Sequence, residues 1–240
     1  MPFFKKLFGV EKTAIRPHCI ISPLNEAPLF CADKKPMRAH GDYFRVTDLG
    51  YATLIGTHYS LLVGDCVLSL SGTPCRNIYL FGCAGGLNLE IGSRVVIGRA
   101  VNFESFSDML AGTSRAQAAA PDAELTAGLR KFAGSRTAAG VTASVASLRL
   151  EESHLKKFEE LGVNCLEMEA ASVFSAARHI GKKACAAVYI SDRVPDKPWH
   201  EQLSHADIAR LAAGRRSLAD SIAGYIKSLH GRSVPPQPGK

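Results

Sequence analysis

The sequence predicts a single α/β domain, and three observations carry that prediction. The chain has 240 residues, the size of one domain with one core. Its composition, 46% hydrophobic and 21% charged, suits a packed globular protein and not a disordered one. Along the chain, short apolar segments bounded by turn residues alternate with helical patterns, the layout of a sheet covered by helices.

The elements follow in order. A first strand is read at 18–22, closed by Pro23, and later strands at 51–55 and 77–81, with a crossover helix at 61–70 between them. Another strand at 94–98 leads into a polar stretch, 102–108, with the look of a working loop. A short helix is expected at 124–132, a strand at 141–145 and a charged surface helix at 151–161. Residues 165–180 carry small or apolar residues on nearly every face and are read as one buried helix. A buried strand at 184–190 precedes a long terminal helix, 204–229, opened by Ser204 as its cap. Residues 1–17 are taken as an N-terminal extension that frays, with contact to a membrane surface or partner as the other reading. The tail at 231–240, with its Pro-Pro-Gln-Pro-Gly, is expected to be disordered. No repeat and no dividing linker is present, so 18–230 forms the domain.

Charge and cysteine content narrow the function classes. The net charge of +7 is spread over separate pairs such as Lys5-Lys6, Lys156-Lys157, Lys182-Lys183 and Arg215-Arg216. No basic stripe with interleaved aromatics is seen, so nucleic acid is not an expected partner, and a general attraction for anionic substrates is the modest conclusion. The longest apolar run, 184–190, is far too short to span a membrane. Seven cysteines, an odd number without Cys-x-x-Cys spacing, read as reduced thiols in a cytoplasmic core, with no zinc site.

Three segments point to chemistry. Gly82-Cys83-Ala84-Gly85-Gly86 ends a strand, and its glycines are read as a sharp turn that a ligand can approach. Glu167 and Glu169 open the helix read at 165–180, where a buried carboxylate costs several kcal/mol (order of magnitude) unless it is hydrogen-bonded. A sugar diol can supply those donors. Capping of the helix start is the competing role, equally weighted for Glu167 and disfavoured for Glu169. Asp192 closes the strand at 184–190 on the same sheet edge as the glycines, either as a general acid or as a turn residue.

Together these segments resemble the nucleoside phosphorylases and nucleosidases. Gly82-Cys83-Ala84-Gly85-Gly86-Leu87 is similar to that family's Gly-Ser-Ala/Cys-Gly turn, Glu167-Met168-Glu169-Ala170 to its Glu-Met-Glu-Ala, and Ser191-Asp192 to its Ser-Asp. Gly140-Val141-Thr142-Ala143-Ser144 looks like the strand before the base pocket. The resemblance implies a three-layer α/β/α sandwich with a mixed central sheet, and cleavage of the N-glycosidic bond of a nucleoside. It implies that Met168 packs on the ribose, Glu169 holds its hydroxyls, and Asp192, oriented by Ser191, protonates a leaving purine. Glu167, Cys83, Ala84 and Gly85 complete the expected substrate contacts. No cofactor is implied, and a homo-oligomer (dimer, trimer or hexamer) is expected.

The resemblance has gaps, and they bear on the reaction. Phosphorolytic members hold phosphate with an Arg after the first strand and often another before the glycine turn; here the first loop has none, and Leu80 and Phe81 hold the second place. Glu26 lies close to the water-activating glutamate of the nucleosidases, so hydrolysis is the leading expectation. Phosphorolysis, with inorganic phosphate as co-substrate held by Arg45, Gly82 and Cys83, is the alternative. A nucleoside-binding protein without efficient chemistry is a third reading, kept alive by Leu80, Ala146 and Leu148 where the family has other residues. Phe103 or Phe106 is considered as a replacement base-stacking aromatic, and His58 as a ligand-facing residue.

Overall fold

The computed structural model describes residues 3–24, 26–31, 36–57 and 60–230. The strands are β1 (His18–Ser22), β2 (Met37–His40), β3 (Phe44–Asp48), β4 (Thr53–Thr57), β5 (Asn77–Gly86), β6 (Arg94–Phe103), β7 (Gln117–Ala119), β8 (Thr137–Val145), β9 (Cys165–Glu167) and β10 (Lys183–Arg193). The helices are α1 (Phe3–Phe8), α2 (Ala27–Phe30), α3 (Val63–Ser69), α4 (Phe106–Ala111), α5 (Ala123–Ala133), α6 (Leu155–Glu160), α7 (Ala170–His179) and α8 (His205–His230). Ser204 Oγ accepts from the Asp207 N–H, so the expected cap opens α8.

The sheet is mixed, as expected. Strand β5 runs parallel to β1 on one side and to β10 on the other. Strands β10, β6, β8 and β9 then pair in turn, and β9 returns antiparallel to the end of β5, closing a ring. An antiparallel edge of β4, β3 and β2 continues beyond β1. Helices α1, α3 and α7 cover one face, where Phe8, Cys66, Val67, Val173 and Phe174 are buried. Helices α2, α5 and α8 cover the other through Phe30, Leu125, Leu129, Leu218 and Ile222. This gives the three layers. A further cluster, including Phe103, Val145, Leu166 and Val194, fills the end of the ring.

Several expectations are corrected. The N-terminal segment is packed, not frayed: Phe4 stacks on Phe8 with centroids 4.3 Å apart, and Phe8, fully buried, meets Phe44 at 4.6 Å. Two aromatics on one short helix bury enough apolar area to hold it. A Cβ on Gly41 would sit 2.0 Å from the Leu7 carbonyl, so only glycine lets the β2–β3 hairpin approach α1. The helix read at 165–180 begins only at Ala170; Cys165–Glu167 is a strand, because β8 and β5 offer it ladder partners. The charged helix read at 151–161 is a 3-10 turn followed by the short α6. The polar stretch at 102–108 is the end of β6 and the start of α4. His58 and the tail at 231–240 lie outside the described residues.

Candidate active site

The glycine run is strand, not turn. It is paired residue by residue with β10, from Val188 opposite Gly82 to Arg193 opposite Gly86. The glycines serve a close approach: a Cβ on Gly85 would lie 3.2 Å from Asp192 Oδ2 and 3.1 Å from Val194 Cγ2, and one on Gly86 would lie 2.8 Å from the Leu89 carbonyl oxygen. Between Ile190 and Asp192 the ladder slips, so that Ser191 bulges out. The bulge and the bare Gly85 together seat the Asp192 carboxyl at the carboxyl end of the central strands.

Asp192 is 7% exposed, and Ser191 Oγ donates to its Oδ1 at 2.6 Å. Burial raises its pKa above the ordinary aspartate value, and the Ser191 bond opposes that shift. Glu169, 6% exposed, stands at the start of α7. Burial first, then the charge of Glu167, pushes it up to about 7; bonds from Ser60 and the Met168 N–H (3.3 Å) work the other way. Both carboxyls bear on the Cys83 thiol, which burial keeps protonated with its pKa raised to about 11. The charges of Glu169 and Asp192 thus act on one and the same thiol. Met168, half-buried beside Glu169, packs against the cluster that contains Val194.

Glu167 does something different. Its Oε2 accepts from the N–H groups of Glu169 (2.7 Å) and Ala170 (2.6 Å), and its Oε1 from Ser144 Oγ (2.5 Å) and Thr142 Oγ1 (3.2 Å). It caps α7 from the preceding strand and ties that helix to β8. Burial raises its pKa, and the four donors oppose this. The expectation of a substrate contact at Glu167 gives way to the capping role, since its oxygens are already engaged.

Glu26 is also engaged. It is 1% exposed and bound by Arg215 through Nη2 and through Nε at 2.9 Å, with Tyr189 OH at 3.0 Å. It lines a cavity of about 130 Å³ with Arg38, His40, Arg45, Gly56 and Thr57, the last carrying a buried hydroxyl without a partner among the described residues. Arg45 is thus placed beside this cavity, and Gly82 and Cys83 lie in the ladder to β10, opposite Val188 and Tyr189. Leu80 is core, Leu148 is 40% exposed, Phe103 packs edge-on to Phe158 at 5.1 Å, and Phe106 is 55% exposed, so neither phenylalanine occupies the Cys83 site.

Three residues escaped the motifs. Glu104, half-buried, accepts from Ser172 Oγ at 2.9 Å and is pushed by burial up to about 7. Glu151 is 4% exposed and pushed by burial, with Asp192 adding to it, up to about 8. Arg215 supplies a cation near Cys83. No periodicity or spacing marks these three, because each reaches the site from a distant element.

The model of the phosphorylase superfamily matches residues 56–223. The chain belongs to the phosphorylase superfamily. Its structural relatives include purine nucleoside phosphorylase from Toxoplasma gondii (TM-score 0.75, 14% identity, covering 93% of this chain and 95% of that one). They also include the 5′-methylthioadenosine/S-adenosyl homocysteine nucleosidase of Campylobacter jejuni (0.69, 15%, 90% and 100%) and AMP nucleosidase from Bacteroides thetaiotaomicron (0.67, 14%, 89% and 92%). No curated protein sequence matches the chain. As a member of this superfamily the protein shares its fold with enzymes that act on N-glycosidic bonds, both phosphorylases and nucleosidases.

Proposed function

We propose that this superfamily member hydrolyses the N-glycosidic bond of a purine nucleoside. The observation that carries the reading is the pair of carboxyls whose charges act on Cys83, Glu169 and Asp192, each held toward its protonated form by burial, while Arg215, which also acts on Cys83, is committed to Glu26. A departing base needs a proton donor and ribose hydroxyls need a carboxyl to bind, and this pair supplies both; a phosphate dianion needs free cations, and this guanidinium is already paired. Where Glu169 is ionised, it also stabilises an oxocarbenium-like sugar.

In this reading the ribose hydroxyls donate to Glu169, Met168 packs on the sugar, and Asp192 hands a proton to the departing base while Ser191 fixes its orientation. Cys83, Ala84 and Gly85 form the surface beneath. Glu26, held by Arg215 and Tyr189, orients the attacking water and does not strip its proton. The resemblance described above further suggests a homo-oligomer without cofactor in the cytoplasm.

Phosphorolysis is the second reading, and the cavity lined by Arg38, His40, Arg45 and Thr57 beside Glu26 favours it. A panel of nucleosides assayed for free base, with and without phosphate, decides. Base release independent of phosphate supports hydrolysis; strict dependence on phosphate, abolished by Arg45→Ala, replaces it with phosphorolysis. Tight nucleoside binding without release under either condition removes both.

A further inference from the structure

The cavity beside Glu26 has no task in the hydrolytic reading, yet its walls suit an anion. On β2, Arg38 and His40 stand two residues apart and so share one face of the strand. His40 is opposite Arg45 on β3, and Arg45 is opposite Gly56 on β4, so the hairpin brings all three cations to one cavity. All three are exposed, and none forms an ion pair among the described residues. The carboxylate that lines the same cavity, Glu26, is taken by Arg215 and Tyr189. Thr57, 1% exposed, adds the hydroxyl that has no partner among the described residues.

A buried hydroxyl without a partner is costly, and an anionic oxygen is an acceptor that removes the cost. Two guanidinium forks, an imidazole and a hydroxyl offer donors from several directions, which suits a tetrahedral phosphate better than a planar carboxylate. At about 130 Å³ the cavity is well below the roughly 300 Å³ of a site for a drug-sized molecule, so it takes one small group and not a whole nucleoside. Glu26 is the wall it shares with the site around Cys83. Tyr189, which donates to Glu26 at 3.0 Å, stands opposite Cys83 in the β5–β10 ladder. The net charge of +7 draws anionic substrates in the same direction.

We propose that this cavity is a subsite for a phosphate carried by the substrate: the preferred substrate is a purine nucleoside monophosphate, its phosphate held by Arg38, His40, Arg45 and Thr57 while its sugar lies over Cys83. The inference rests on the hydrolytic reading and names the substrate class within it. The phosphate stays on the sugar throughout and supplies binding, not chemistry. Free inorganic phosphate has the same oxygens, so the test carries both sources.

Base release is measured without inorganic phosphate for a purine nucleoside and for its 2′-, 3′- and 5′-monophosphates, in the wild type, Arg45→Gln and Thr57→Val. In the wild type, kcat/KM for at least one monophosphate should exceed that for the nucleoside by roughly 10- to 100-fold, the size of a charge-assisted hydrogen bond. Arg45→Gln should lower that ratio roughly tenfold or more, chiefly through KM. Thr57→Val keeps the buried shape and should lower the ratio several-fold without lowering the melting temperature. Calorimetric titration with the nucleoside and the monophosphates gives the same comparison as affinities, independent of turnover. No monophosphate preferred over the nucleoside, or a preference that either variant leaves unmoved, would overturn the proposal. So would base release that requires added inorganic phosphate, which gives the cavity to the free anion. A wild type that releases no base from any of the four compounds would instead defeat the hydrolytic reading, and the affinity ratio would still decide whether the cavity holds a substrate's phosphate.

Discussion

The neighbouring glutamates of the Glu-Met-Glu segment should respond in opposite ways to substitution. Glu167→Ala strands two buried N–H donors, those of Glu169 and Ala170, and frees the Ser144 and Thr142 hydroxyls. An unsatisfied buried donor costs about 1–3 kcal/mol, so with the donors partly rehydrated the loss is about 3–5 kcal/mol. Glu169 has weaker support, and its folded acid lies at about 7 against an ordinary value of 4.5. The sign follows: the native state keeps this proton longer than the unfolded chain does, so Glu169 is harmless below about pH 4 and destabilises increasingly as pH rises through 7. At about 1.36 kcal/mol per pH unit the full penalty at pH 8 is about 3 kcal/mol as an upper bound. Glu169→Gln should therefore match the wild type at pH 4 and exceed it at pH 8 by roughly 1–3 kcal/mol. It should also weaken nucleosides roughly tenfold or more while leaving free bases nearly untouched, given charge-assisted bonds of about 1.5–3 kcal/mol. Urea unfolding at the two pH values, with calorimetric titration of nucleoside and base, measures all of this. A stable Glu167→Ala, or equal weakening of nucleoside and base by Glu169→Gln, would refute the division of labour.

Three further outcomes are expected. Asp192→Asn should lower base release by roughly 10²–10⁴-fold with nucleoside affinity nearly intact, because it removes proton donation but keeps shape; a loss of binding with turnover per bound ligand preserved would contradict it. Gly85→Ala places a methyl 3.2 Å from Asp192 Oδ2 and 3.1 Å from Val194, so kcat should drop while the melting temperature moves little. An unchanged kcat would mean that the carboxylate is not held against the glycine. Phe8→Ala should cost about 3–5 kcal/mol in chemical denaturation, as for a buried aromatic. A change within about 0.5 kcal/mol would show that the helix contributes nothing to the core.

Much of this was legible in the sequence, and the misses have physical causes. The run 184–190 is apolar throughout, so β10 and the acid at its edge stood out. The segment at 165–169 reads as helix because it runs into residues that are small or apolar on nearly every face, whereas Cys165–Glu167 becomes strand only through the partners that β8 and β5 provide. The glycines were read for the dihedral freedom they allow, but Gly85 and Gly86 answer to the space their neighbours need. Strands β2 and β3 went unseen because β2 is an exposed edge with little apolar alternation. Glu104 and Arg215 carry no motif; distant folding alone brings them to Ser172 and Glu26.

The slip at Ser191 also makes the acid's aim a matter of counting. Two residues on β10 stand against a single step on β5, Ile190 opposite Ala84 and then Asp192 opposite Gly85, so the strand's inward–outward parity is reversed at that point. Were the same residues in an unbroken ladder, Ser191 would stand opposite Gly85 and Asp192 opposite Gly86, with the carboxylate on the other side of the sheet. Spacing along the backbone, as much as the identity of the side chain, decides whether this fold carries an acid over its cleft.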